Sequence, residues 1–200
     1  MMSSTKQKII FLTIATAALV ILRLAFNGHS LSNLFPIAAL AIFSGSLLKN
    51  KKLAYIFPIA VLLLSDACLE LFTSVDGFYG WTQIFNYAAL ILIAFWGTSL
   101  DPNKEVKVLG YTLGGTLLFW LVSNLGVWAG GYYGYTLAGL GETFLMAIPF
   151  YKYEVSTVAT QFFVNSVAGN LLFAAICYFA YRIASIEYLK RLKPRTISNK

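Results

Sequence analysis

Long apolar stretches alternate with short polar breaks along the whole chain. The breaks are turn-forming sequences such as Asn-Gly, Lys-Asn-Lys-Lys, Asp-Gly, Asp-Pro-Asn and Gly-Gly. The apolar stretches predict helices at residues 9–26, 33–48, 53–72, 82–98, 107–129 and 156–181. At ~1.5 Å per residue the second helix reaches only about 24 Å, so it must be shielded by its neighbours or lie where the bilayer is thinner. We therefore expect a single all-α domain, residues 1–200, with six helices.

Composition places these helices in a membrane. Hydrophobic residues make up 58% of the 200 positions and charged residues only 12%, and the mean hydropathy is +0.72. A soluble domain carries about 25% charged residues, spread over its surface. Here most charges lie between the apolar stretches. The chain is therefore expected to be an integral membrane protein whose six helices span the lipid bilayer, with a long outer loop after the fifth.

The basic residues predict the orientation. Arg23 and Lys152 lie on one side of the predicted membrane, and thirteen basic residues lie on the other, with the termini: Lys6, Lys8, Lys49, Lys51, Lys52, Lys104, Lys107, Arg182, Lys190, Arg191, Lys193, Arg195 and Lys200. By the positive-inside rule both termini are cytoplasmic, and the loops at 27–32, 73–81 and 130–155 face outward. The basic tail then serves as an anchor beside anionic lipid. We expect no nucleic-acid partner, which is the lesser alternative for such a tail.

The N-terminal apolar stretch and the two cysteines add detail to this topology. Arg23 interrupts the first apolar stretch, and Ala25-Phe26-Asn27 has no small-x-small cleavage pattern, so we expect a retained first helix. Cys68 lies near the outer end of the third helix and Cys177 near the inner end of the last. This separation exceeds the reach of a disulfide, so both are predicted to be free thiols.

Several kinds of chemistry have no matching motif. The sequence contains no phosphate-binding Gly-x-x-x-x-Gly-Lys-Ser/Thr loop, no Gly-x-Ser-x-Gly elbow and no His-Glu-x-x-His zinc motif, and His29 is its one histidine. An intramembrane enzyme would depend on Cys68, Asp66 or Glu70. We therefore predict a protein that is not an enzyme and has no intrinsic cofactor.

Polar side chains inside the helices cluster toward the outer side. Of the nine, eight fall in the outer half of their helix and only Asn170 does not; the others are Arg23, Asp66, Glu70, Gln83, Asn86, Asn124, Gln161 and Asn165. Such groups are costly in hydrocarbon, so they face a cavity or hydrogen-bond one another between helices. Both readings stay open for this set. Asp66 is expected to pair with Arg23.

Helical spacing groups some of these residues. Asn124 and Trp128 lie four apart on the fifth helix, and Gln161 and Asn165 lie four apart on the last, so each pair shares a face. We expect Asn124, Gln161 and Asn165 to line a water-accessible cavity in the outer half.

The apolar segment 130–154 is predicted to fold over that cavity. Its glycines permit sharp turns, and tyrosines such as Tyr132 and Tyr135 offer flat surfaces suited to gripping a large ring system. An interfacial aromatic belt is the alternative, and it accounts for some of Trp81, Trp96, Tyr151 and Tyr153.

Four stretches of the sequence suggest a family. They are Ser32-Asn33-Leu34-Phe35-Pro36-Ile37-Ala38-Ala39-Leu40-Ala41-Ile42-Phe43-Ser44-Gly45, Phe57-Pro58 through Leu64-Ser65-Asp66, Ser123-Asn124-Leu125-Gly126-Val127-Trp128 and Ala147-Ile148-Pro149-Phe150. Between Ser32 and Asn170 the chain resembles a small bacterial membrane family related to the substrate-binding S components of energy-coupling factor (ECF) vitamin transporters. The solitary cobalamin S components (BtuM) are the nearest characterised relatives that the resemblance suggests.

The resemblance implies a six-helix bundle in the bacterial inner membrane, with cytoplasmic termini and a vitamin site at the outer face. It implies cobalamin or a related corrinoid as the transported ligand, with Cys68 coordinating the corrin cobalt. The alternative for Cys68 is a small buried apolar residue. The candidate ligand-binding residues are Cys68, Asn124, Trp128, Tyr132, Tyr135, Gln161 and Asn165.

Partners and function stay open at this level. S components that dock on an ECF coupling module carry an Ala-x-x-x-Ala face on helix 1, where this chain has Thr13-x-x-x-Ala17; helix 2 offers Ala41-x-x-x-Gly45. Uptake of cobalamin, or of another vitamin or small solute, is the leading hypothesis. A non-transporting membrane scaffold and an intramembrane enzyme are the alternatives.

Overall fold

The protein is helical throughout the part that the structure describes. A computed structural model describes residues 5–25, 35–147 and 156–192, and the side chains of residues 7–25, 35–147 and 164–183. These ranges hold seven α-helices: α1 (Thr5–Ala25), α2 (Ile37–Leu47), α3 (Lys51–Phe72), α4 (Ile84–Gly97), α5 (Glu105–Ala129), α6 (Leu137–Ala147) and α7 (Ser156–Leu192). A short 3-10 turn, Trp81–Gln83, precedes α4. The prediction of an all-α protein is confirmed.

Apolar helices long enough to cross a membrane make up much of the bundle. Four are of this kind: Gln7–Ala25, Lys51–Phe72, Glu105–Ala129 and Val164–Ile183. Three others are apolar but shorter: Ile37–Leu47, Trp81–Gly97 and Leu137–Ala147. Aliphatic side chains such as Ile14 and Ile21 are largely exposed on α1, as suits a helix facing lipid. These features indicate a membrane protein.

Helix α2 lies at the centre of the bundle. It packs against α1, α3, α4, α5 and α7, and all of its residues except Ser46 are buried. Its 11 residues rise only about 16 Å, too little to cross a bilayer unaided. The predicted shielding of this short helix by its neighbours is therefore confirmed.

Glycines allow α2 and α4 to touch backbone to backbone. A Cβ atom at Gly45 would overlap the carbonyl oxygen of Ala94, and one at Gly97 would overlap that of Ile42. Small residues permit this close approach between membrane helices. The Ala41-x-x-x-Gly45 pattern is thus used inside the bundle, whereas Thr13 and Ala17 lie exposed on α1.

One end of the bundle, here called the Lys49 end, holds the turns 48–50 and 98–104. The side chain of Asn50 caps α3 by accepting hydrogen bonds from the backbone N–H groups of Lys52 (3.0 Å) and Leu53 (3.4 Å). The hydroxyl of Ser44 donates to the carbonyl oxygen of Ala54 at 2.5 Å. These bonds lock α2 and α3 into a hairpin with a turn of only a few residues.

The opposite end, here called the Arg23 end, holds the loops 73–80 and 130–136. The 3-10 turn that follows the loop 73–80 packs against the end of α5 and the start of the loop 130–136, because Thr82 lies against Gly126 and Gly130. Positive φ angles of 78° at Gly131 and 80° at Gly134 turn the chain sharply after α5, which glycine permits without strain.

Helix α6 was not predicted from the sequence. The indole N–H of Trp128 donates to the carbonyl oxygen of Thr136 (3.1 Å), and that of Trp120 donates to the carbonyl oxygen of Ala147 (3.2 Å). These contacts lay α6 antiparallel against the last turns of α5, its main packing partner. The segment 130–147 therefore folds back along α5, whereas the sequence pattern predicts a cover across the bundle.

Helix α7 is longer than predicted, with 37 residues ending at Leu192, and its described core residues contact α2 and α5. Asn170 ties it to the start of α2. The N-cap of α2 is Pro36, which makes no side-chain hydrogen bond to the first turn. The side-chain amide oxygen of Asn170 accepts a hydrogen bond from the backbone N–H of Ala39 at 2.8 Å, so α7 supplies the missing cap.

Candidate functional site

A buried ion pair joins α1 to α3 at the Arg23 end. The guanidinium of Arg23 lies 2.6 Å from the Asp66 carboxylate and also donates to the hydroxyl of Ser65. The Asp66 side chain is only 1% exposed, against 21% for Arg23. The ring of Phe35 lies under the guanidinium, 4.8 Å from centroid to Cζ. The predicted pairing of Asp66 with Arg23 is confirmed.

Gln83 extends this pair into a network. Its amide nitrogen donates to the other Asp66 carboxylate oxygen at 2.6 Å and lies 3.3 Å from the carbonyl oxygen of Gly77. A buried ionised carboxylate needs such partners, because its oxygens lose their hydrogen bonds to water and this free-energy cost is offset only by new hydrogen bonds or ion pairs. Arg23, Asp66 and Gln83 thus connect α1, α3 and the 3-10 turn before α4.

Glu70 holds the loop between α3 and α4. Its carboxylate accepts from the backbone N–H groups of Gly77 (2.8 Å) and Phe78 (3.4 Å). Gly77 is buried, and a Cβ there would overlap the carbonyl oxygen of Asp66. The loop 73–80 is therefore fixed against the last turns of α3.

Tyr79 follows in the same loop and accepts a hydrogen bond from the amide of Asn86. The residue is 51% exposed. Partial burial raises the pKa of Tyr79 to about 12, and the negative charge of Asp66 adds to the increase. The phenol therefore stays neutral at physiological pH and can act as a hydrogen-bond partner.

Aromatic side chains crowd the surface of the Arg23 end. Phe78 and Tyr79 come from the loop after α3, Trp81 comes from the 3-10 turn that follows it, and Tyr132 and Tyr135 come from the loop after α5. All five are exposed, from 46% to 75%. We call these five residues the aromatic rim. Since the 3-10 turn at Trp81–Gln83 contacts the start of the loop 130–136, the rim gathers ring surfaces from two separate parts of the chain at one end of the bundle.

The remaining candidate residues fall into two groups. Cys68 is a partly exposed free thiol on α3, which packs against α1, α2 and α4. Asn124, Trp128 and Asn165 lie on α5 and α7, which pack against each other. Helices α2 and α4 lie between Cys68 and the residues of α5 and α7, because both helices pack against α3 on one side and α5 on the other.

The amides of the second group have different surroundings. The Asn124 amide donates to the carbonyl oxygen of Trp120 in its own helix at 2.7 Å, and Asn165 is half-buried. Gln161 lies in α7, but its side chain is outside the described residues, as are His29, Lys152, Tyr151, Tyr153 and the tail after 192.

The described thiol and carboxylate side chains do not form a metal-binding cluster. Cys68 and Cys177 are both unbonded, as predicted. Among the described residues no three His, Cys, Asp or Glu side chains come together as metal ligands.

Sequence reasoning missed three contacts of this end of the molecule. They are the bond from Gln83 to Asp66, the clamp of Glu70 on the loop, and the cap of α2 by Asn170. A signal existed for the last: a helix that starts after proline leaves backbone N–H groups to be satisfied, and Asn170 is the one amide predicted away from the outer half.

Comparison with known proteins places the chain in a family. No curated protein and no solved structure matches it. A family model, described as a family of unknown function, DUF6580, matches residues 3–193, which is nearly the whole chain. The chain therefore belongs to the family of unknown function DUF6580.

Proposed function

We propose that this protein spans the bacterial inner membrane six times, with both termini in the cytoplasm, and binds a vitamin-like small molecule at its outer face. The proposal takes α1, α2, α3, α4, α5 and α7 as the spans, with α2 and α4 completed by their neighbours and flanking turns. The thirteen basic residues on the terminal side support this orientation. The Arg23 end is then the outer end, and α6 re-enters the outer half beside α5.

The aromatic rim is the observation that carries the binding proposal. Five exposed aromatic residues at the end of a membrane bundle provide flat apolar surfaces, and three of them are tyrosines with a hydrogen-bonding hydroxyl. A ring-containing solute is bound well by such surfaces. Glu70 and Gln83 hold the loop that presents Phe78, Tyr79 and Trp81, which limits the ordering cost of binding.

Cobalamin is the first candidate ligand, on the strength of the resemblance to solitary cobalamin S components. Cys68 lies four residues, about 6 Å, before the end of α3 at Phe72, and therefore just below the rim. A thiolate is a soft donor suited to cobalt. Another vitamin or small solute would use the rim without the cysteine. We propose no catalytic role for any residue.

Absorption spectroscopy tests this function. Protein purified from cells grown with cobalamin is expected to retain the corrin and show a shifted spectrum, and Cys68→Ser should abolish the shift. Cys177→Ser is the matched control, since that buried thiol lies elsewhere in the core. An unchanged spectrum in Cys68→Ser would return Cys68 to a packing role.

Binding at the rim has its own test. The double variant Tyr132→Ala, Tyr135→Ala should weaken binding of cobalamin, or of another vitamin identified by screening, by at least tenfold. Stacking of a nucleic-acid base on an aromatic side chain contributes about 1–3 kcal/mol, and we expect a similar contribution from each tyrosine that stacks on the ligand. Phe95→Ala removes an exposed ring (63%) from α4 and should leave binding unchanged. Equal affinity in the rim variant would contradict the proposal.

A membrane scaffold is the second candidate. The observation that favours it is the mutual pairing of Arg23, Asp66 and Gln83, which is how polar groups act when they only join helices. Purified protein that binds none of a panel of vitamins would favour the scaffold.

If the protein couples to an ECF module, α1 offers the accessible small-residue face. Thr13 and Ala17 are exposed, whereas Ala41 and Gly45 are buried. Co-purification with a coupling module, and its loss in Ala17→Leu, tests this partner.

A further inference from the structure

A second charged surface lies at the Lys49 end of the bundle. Lys8 sits near the start of α1, and Lys49 lies in the turn between α2 and α3. The contact of Arg23 with Asp66 sets α1 parallel to α3, and Lys8 and Lys51 each lie fifteen residues before that pair, so Lys8 is level with the start of α3 and with Lys49 just before it. The two like charges repel each other there, and Lys8 is half-buried. Lys51 and Lys52 follow in the first turn of α3 and are exposed. We call these four residues the lysine cluster.

The lysine cluster lacks a described negative partner. Within the described side chains the ion pair found is that of Arg23 with Asp66, at the other end of the bundle. The repulsion between Lys8 and Lys49 is thus not offset by a carboxylate in that part of the chain. An anion at this position would remove the repulsion and gain two favourable charge contacts.

The neighbouring turn between α4 and α5 is different. Lys104 and Lys107 lie there close to Asp101, whose carboxylate also accepts hydrogen bonds from the backbone and side chain of Asn103. These hydrogen bonds, followed by the two lysines, lower the pKa of Asp101. This second basic group therefore has its own counter-charge, and the lysine cluster does not share it.

Apolar surface flanks the lysine cluster on both helices. Ile9 and Ile10 are 42% and 49% exposed on α1, and Leu53 and Ile56 are 46% and 58% exposed on α3. Helices α1 and α3 pack against each other. Lysines beside exposed aliphatic side chains complement the two parts of an anionic phospholipid, its charged headgroup and its acyl chains. A soluble anion would contact only the lysines.

We propose that the lysine cluster binds the headgroup of an anionic phospholipid, with Lys8 and Lys49 contacting the phosphate and the aliphatic side chains contacting the acyl chains. Basic pockets between membrane helices bind such headgroups in other proteins. This site is independent of the vitamin site proposed above, because it lies at the opposite end of the bundle. It attaches α1 to the α2–α3 hairpin through the lipid.

Native mass spectrometry of the full-length protein in detergent tests the site. Phosphatidylglycerol, titrated into the micelles, is expected to bind the wild-type protein in preference to phosphatidylcholine. Lys8→Gln with Lys49→Gln should weaken phosphatidylglycerol binding roughly thirtyfold, and each single variant about fivefold, from the ~1 kcal/mol expected per lysine. Lys8→Arg with Lys49→Arg should retain binding.

Lys104→Gln with Lys107→Gln is the matched control, since it removes the same charge from the same end. Its binding should change less than twofold. An equal loss in this control would mean diffuse attraction and would overturn the proposal, as would unchanged binding in the Lys8 and Lys49 variants.

Glycerol 3-phosphate separates the two sources of phosphate: if it displaces the lipid at equal concentration, the site is one for a soluble anion. Should the double glutamine variant fail to fold by circular dichroism, the single variants decide the result.

Discussion

Replacing Arg23 alone should cost more stability than replacing both partners of the Arg23–Asp66 pair. Replacing Arg23 by Met leaves the Asp66 carboxylate buried, with Gln83 as its remaining donor. Replacing Asp66 by Leu leaves Arg23 in a better position, because its side chain is 21% exposed and also contacts Ser65 and Phe35. Its long stem lets the guanidinium reach toward water. The two single variants should therefore differ in stability.

The structure sets the size of these effects. Breaking a buried ion pair from one side costs about 3–5 kcal/mol, and the full burial of Asp66 places Arg23→Met in this range. Partial exposure of Arg23 reduces the cost of Asp66→Leu to about 1–2 kcal/mol. Since the double variant leaves neither charge buried, its cost should be close to that of Asp66→Leu alone. The coupling energy is then as large as the cost of Arg23→Met, about 3–5 kcal/mol.

Unfolding in mixed micelles of increasing denaturing detergent, followed by circular dichroism, measures all four proteins. Arg182→Met is a control, because that arginine lies 6.0 Å from the Tyr178 ring centroid and its loss leaves no described carboxylate unpaired. It should change the free energy of unfolding by less than about 1 kcal/mol. Equal costs for the two single variants, or a coupling energy below about 0.5 kcal/mol, would refute the reasoning.

Three further predictions concern other parts of the bundle. Asn170→Leu should cost about 1–3 kcal/mol in the same assay because it leaves a buried N–H of α2 unpaired, whereas Asn124→Leu should cost less because that amide bonds within its own helix. Gly45→Ala should cost about 1–3 kcal/mol through overlap with the α4 backbone, while Gly110→Ala, which has open space, should be neutral or stabilising. Tyr79 should ionise near pH 12 in an ultraviolet absorbance titration, and Tyr79→Phe should remove that step. Because its folded-state pKa lies above the unfolded value of 10.0, the unfolded chain ionises first, and stability should fall between about pH 10 and 12 in the wild type more than in the variant.

The helices were readable from the sequence because their signal is local. Apolar runs bounded by turn-forming residues need no knowledge of neighbours, so six helices were predicted within a few residues of their observed ends, except that α7 continues to Leu192, beyond the predicted end at 181. The shielding of α2 followed from length alone. The pairing of Arg23 with Asp66 followed because two opposite charges at similar depth in a membrane have few other partners.

Only the tertiary structure determined the contacts between residues that lie far apart in the sequence. The packing of α6 on α5 depends on two tryptophan N–H groups that find backbone carbonyl oxygens only after the chain has turned. The cap of α2 joins Ala39 to a residue 131 positions away. No periodicity encodes such pairs, because each residue type is compatible with many partners and the packing of all helices together selects one. The same reason separates Cys68 from the amides of α5 and α7, which share its predicted depth but lie beyond α2 and α4.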